Sequence, residues 1–144
     1  MNIKQALKRK NKLVGLMKEQ LMRAYSYNSI TVGGERSYSA REALDNWNKL
    51  SEELIDLKSR LQRANLEVYP KIFLLAELKS RVAALNRLDC RSGKQDPPRY
   101  SDEMVPTRVA EIGIVERDEM IKSLESRIEE LQEELDQYNA STQL

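Results

Sequence analysis

Six cations, Arg36, Arg41, Arg91, Lys94, Arg99 and Arg108, share a third of the chain with Tyr27, Tyr38 and Tyr100. A guanidinium fork grips phosphate oxygens two at a time, and a tyrosine ring offers a face on which a base can stack. These residues could therefore hold a nucleotide-like anion; the plainer alternative is a set of solvated loop side chains. Nothing comparable exists for bond-making. The sequence has no His, which removes the common zinc sets and every Ser-His or Cys-His nucleophile. Its one cysteine, Cys90, cannot form an internal disulfide. We expect no enzyme, no cofactor and no metal site.

Weaker signals resolve against chemistry. Ser92-Gly93-Lys94 ends like a phosphate-binding loop, but the earlier glycine is missing and Gln95 stands where Ser or Thr is needed. Glu129/Glu130 and Glu133/Glu134 read as the solvated face of a helix rather than as paired acid-base carboxylates. Asn139-Ala140-Ser141 is a glycosylation triplet only in a secreted chain. Cys90 lies between Arg87 and Arg91, yet reads as a passive loop thiol.

The elements that must position these residues are helices. Ser39, with Glu42 three residues on, is a capping-box signature for a helix over about 39–66, striped by Trp47, Leu50, Leu54, Leu57, Leu61, Ala64 and Val68. A first helix over about 2–25, capped by Asn2, carries Ile3, Leu7, Val14, Met17, Leu21 and Ala24, with Lys10 interrupting the stripe, Leu13 and Leu16 widening it, and Gly15 marking a close crossing or a bend. Pro70 fits the first turn of a third helix over about 70–88. A fourth, about 116–138, presents Ile121, Leu124, Ile128, Leu131, Leu135 and Tyr138. Gly33-Gly34 between short β-prone runs suits a hairpin over about 28–38, with 107–115 as its third strand and 89–106 as an irregular loop.

The expected fold class is mainly α, a long antiparallel helical hairpin or coiled-coil bundle with a small β-hairpin or three-stranded sheet at one end, all within one domain of 1–144. Narrow apolar seams ask for a neighbouring helix from the same chain or another copy. Trp47, Leu54, Leu61, Ile121, Leu124, Ile128, Leu131 and Leu135 are the expected oligomer seam.

Charge is balanced overall and segregated locally. Residues 1–25 carry seven Lys/Arg against Glu19 alone, and residues 116–136 carry nine acids against Arg117, Lys122 and Arg127. Opposite ends could pair within a chain or across a dimer, whereas phosphate binding by Lys4, Lys8, Arg9, Lys10 and Lys12 is disfavoured by acids on the same chain. No apolar run approaches the roughly 18 residues of a membrane span, and charges occupy the start where a signal peptide needs apolar residues. The expectation is a cytoplasmic protein without membrane contact.

Ala6-Leu7-Lys8-Arg9, Leu61-Gln62-Arg63-Ala64-Asn65 and Leu135-Asp136-Gln137-Tyr138-Asn139 resemble the septicolysin-like family of small helical bacterial proteins. The resemblance implies an extended, oligomeric helical protein of unassigned biochemical role and carries over no site residues. The expected function is non-enzymatic binding by a self-associating coiled coil. The alternative is a small-anion binder, for instance a phage-encoded protein that sequesters a nucleotide signal in an Arg/Tyr pocket.

Overall fold

A computed structural model describes residues 1–94 and 105–144. The chain is mainly helical, with a small two-stranded antiparallel sheet. It divides into two compact units, Met1–Val68 with Asp136–Leu144, and Tyr69–Leu135.

In the first unit, α1 (Ile3–Tyr27) and α2 (Ala40–Ala64) form an antiparallel hairpin. Asn2 caps α1 with a full reciprocal box: its Oδ1 accepts from the Gln5 amide at 2.8 Å, and Gln5 Oε1 accepts from the Asn2 amide at 3.0 Å. Two otherwise orphaned amides are thus satisfied. Ser39 caps α2, its hydroxyl accepting from the Glu42 amide at 3.2 Å. Only that half of the expected box forms among the described residues.

The hairpin closes on Ile3, Ala6, Leu13, Leu54, Leu57 and Leu61, with Leu7, Met17, Leu50, Ala64, Tyr138 and Leu144 packed around them. Leu13, not Val14, occupies the core position, and Val14 faces out. Ile3, Ala6, Leu13 and Ala24 set the rotational phase of α1, and half-buried Lys10 lies on that stripe, where its methylene stem can cover apolar surface while the ammonium reaches water. Gly15 marks no intrachain crossing, since a Cβ there would meet nothing within 4 Å.

Both ends of the sequence join this unit. The Ile3 amide donates to the Thr142 carbonyl oxygen at 3.1 Å and the Leu144 amide to that of Met1 at 3.0 Å. Asn2 Nδ2 donates to the Ala140 carbonyl oxygen at 3.0 Å. The residues after α4 thereby supply acceptors and an apolar side chain, Leu144, to the hairpin's open end.

In the second unit, α3 (Tyr69–Asn86) and the part of α4 (Ile114–Ser141) up to Leu135 run antiparallel. Lys71 pairs with Glu134 at 2.8 Å near one end, while Arg81, Ala84 and Leu85 face Glu116, Met120 and Leu124 near the other. Pro70 stands in the first turn of α3, where its missing amide is harmless. Between the helices, β1 (Gly93–Lys94) pairs with β2 (Thr107–Arg108) in the register Gly93 to Arg108 and Lys94 to Thr107.

This ribbon is not where the hairpin was expected. Residues 28–39 hold no strand; the Gly34 amide donates to the Thr31 carbonyl oxygen at 2.9 Å, and Gly33 has φ +82°. That is a type II turn, whose third position requires positive φ. Thr31 to Ser39 are all exposed. With no apolar face to bury, the two β-prone runs have nothing to fix them as a ladder. Of the expected third strand only Thr107–Arg108 is extended and paired, and its partner comes from the supposed irregular loop.

Candidate interaction surfaces

The cations singled out as an anion pocket are divided between the two compact units. Arg36 is committed to α1: its Nε donates to the Tyr27 carbonyl oxygen at 3.0 Å and its Nη2 to that of Asn28 at 3.1 Å. It caps carbonyls that a helix end leaves without partners. Tyr38 packs against the same helix end, its ring centroid 5.3 Å from that of Tyr27, with the Arg23 guanidinium 4.4 Å above its face. That cation–π contact fastens the 28–39 connection to α1. Arg41 lines a shallow cleft of about 290 Å³ with Asn28, Leu44, Asp45 and Asn48.

The other members belong to the second unit. Arg91 closes on Asp89 through Nε at 2.8 Å and Nη2 at 2.6 Å. These bonds hold the Asp89 carboxyl well below the usual carboxylate range and raise Arg91. The fork is thereby occupied. Lys94 and Arg108 sit on the exposed ribbon, one on each strand. Arg99 and Tyr100 lie outside the described residues. The expected sheet that would have gathered Arg36, Tyr38 and Arg41 with Arg91 and Arg108 does not form, because β2 pairs with β1 and residues 28–38 pair with neither.

Half of the expected oligomer seam is buried within the chain. Leu54 and Leu61 belong to the α1–α2 core. Leu131 and Leu135 are buried, and Leu124 lines a groove between α3 and α4. Trp47, Ile121 and Ile128 are half-buried. A seam already covered by a neighbouring helix has little apolar area left for a second molecule.

What remains exposed lies elsewhere. α3 mixes apolar and charged residues round its surface: Leu75 and Leu78 are buried, while Phe73 is 63% exposed and Leu74 37%. The Phe73 and Tyr69 rings stack 5.7 Å apart on the helix's first turns. Towards the other end of α3, an open groove of about 660 Å³ is lined by Ala84, Leu85, Met120 and Leu124 and flanked by Arg81, Glu116 and Glu119. In the sequence Leu74 falls on a helical stripe with Leu75, Leu78, Val82, Leu85 and Leu88, and Phe73 stands alongside it.

On α1, the outward stripe reads Lys4, Lys8, Asn11, Gly15, Lys18, Met22 and Tyr25, every one exposed. No group of three or more potential metal ligands occurs among the described residues, and no helix among them is long and apolar enough to cross a membrane. Compared with known proteins, the chain matches no family model, no curated protein and no solved structure.

Proposed function

We propose that this is a non-enzymatic, self-associating helical binding protein. The observation that supports it is on α3, where the Tyr69 and Phe73 rings stack and Phe73 and Leu74 stand exposed to solvent. Neighbouring apolar side chains left facing water are favourably covered by a partner surface. A second copy brings the same patch and can cover it isologously. The chemistry of the chain points the same way: its ionisable groups are paired or solvent-exposed, and buried polar or charged residues are absent among the described residues.

Sedimentation velocity over a range of micromolar concentrations tests the reading. Wild-type protein is expected to sediment as an oligomer, and Phe73→Glu to shift it towards the single chain with helical content retained. A compact wild-type monomer throughout would refute it.

Among the described residues, the anion-binding alternative loses the guanidiniums of Arg36 and Arg91, each engaged within its own unit. A thermal-shift screen with cyclic and linear nucleotides separates the two readings: only the alternative predicts stabilisation that Arg108→Ala abolishes.

A further inference from the structure

Two rows of like charge lie on the outer faces of helices from different units. On α1, Lys4, Lys8 and Lys12 recur every fourth residue; on α4, Glu125, Glu129 and Glu133 do the same. All six side chains are exposed, and none forms an ion pair among the described residues. Like charges at this spacing repel within their own helix. Lys4 is also in the first turn of α1, which holds no acid, so it opposes the helix dipole. Neither row helps the helix that carries it.

The rows match each other. Each spans two helical turns in steps of roughly 6 Å, and ridges built from every fourth residue are the ones that interdigitate when two helices cross at about −50°. In an antiparallel crossing Lys4 meets Glu133, Lys8 meets Glu129 and Lys12 meets Glu125. Gly15 sits beside Lys12 on the same outer face, with nothing among the described residues within 4 Å of where a Cβ would stand. A glycine at that point leaves room for the incoming helix and has no packing role inside the chain. Within the first unit α1 already has its partner, α2.

We infer that the Lys4-Lys8-Lys12 row of α1 docks on the Glu125-Glu129-Glu133 row of α4 in a second copy of this chain. The inference rests on the proposed self-association and names its charged contact. A two-fold dimer makes the contact twice, and the opposite rows fix orientation and partner. Lys122, next to the acidic row, and Glu19, next to the basic one, are the opposing charges at the edges; Glu19 is held by Arg23 at 2.6 Å.

The test is a charge exchange between molecules. One variant carries Lys4→Glu, Lys8→Glu and Lys12→Glu; the other carries Glu125→Lys, Glu129→Lys and Glu133→Lys. Each alone faces its own copy with like charges, so self-association weakens about tenfold or more. Mixed in equal amounts, the two are complementary at both contacts, and sedimentation velocity should show association restored to near the wild-type level. A pairing within one chain would instead be restored only when both swaps share a molecule. The triple Lys→Gln variant, milder for folding, should weaken association in the same direction, and 0.5 M salt should weaken the wild type. If wild-type protein associates while neither charge variant loses affinity, or if the mixture behaves as the separate variants do, this contact is overturned and the self-association reading stands. If the wild type is monomeric, both fall. Retention of duplex DNA by monomeric wild-type protein, lost in the Lys→Glu variant and not recovered on mixing, would likewise overturn the contact.

Discussion

Tyr138, near the end of α4, donates its hydroxyl proton to the Ala64 carbonyl oxygen, the last residue of α2, at 2.6 Å. One of the four carbonyls that a helix leaves without an intrahelical partner is satisfied by a side chain 74 residues away. The phenol ring packs on the α1–α2 core at the same time. Tyr138→Phe keeps the ring and removes the bond, so it should destabilise the protein by about 1 kcal/mol in denaturant unfolding, with the same slope against denaturant.

Leu13 and Leu61 are buried in the same core. Truncation of either to Ala removes transfer energy and opens a cavity, for an expected loss of about 2–5 kcal/mol. Val14→Ala, one residue along and facing water, should change stability by less than about 0.5 kcal/mol. Equal effects at positions 13 and 14 would show that the helical phase is wrong.

Gly15 lies inside α1 with open space at its missing side chain. Gly15→Ala should therefore raise stability by about 0.5–1 kcal/mol, since it lowers the entropy of the unfolded chain and adds no clash. Gly33→Ala should do the opposite, because φ there is +82°.

The ionic contacts of the second unit set a direction for acid sensitivity. Glu134 is held below its ordinary value, chiefly by the hydrogen bond from Lys71 and by that cation's charge, with Arg127 adding to both. Asp89 is lowered in the same way by Arg91. A carboxyl depressed in the folded state stabilises above its unfolded pKa, roughly 4, and the contribution is lost as pH falls through the folded value. Thermal unfolding between pH 7 and pH 2.5 should show stability declining below about pH 4. Glu134→Gln should flatten part of that decline and leave the midpoint near pH 7 only slightly lower, as both partners are half-exposed.

The helices were legible in the sequence because their stripes and caps are local. Asn2, Ser39 and Pro70 mark starts that the structure keeps, and the Leu54-Leu57-Leu61 stripe is the face that α2 buries. Finer features depended on tertiary competition. Val14 and Leu13 differ by one helical step, and only the packing partner decides which is inside. The Gly33-Gly34 pair did signal a turn, but strand pairing also needs a buried face, which residues 28–38 lack. Arg36 shows the same limit in the site: its type suited phosphate, and the end of α1 claimed its donors first. That Gly93, with φ +91°, would open a two-residue ribbon lay beyond any local pattern.

The central claim is that this chain works as an assembly of copies. Native mass spectrometry of the intact protein at low micromolar concentration tests it most directly. The account predicts a charge-state series at an integer multiple of the 16.7 kDa chain, collapsing to the single chain for Phe73→Glu. A wild-type spectrum holding only the 16.7 kDa species across the concentration range would contradict it.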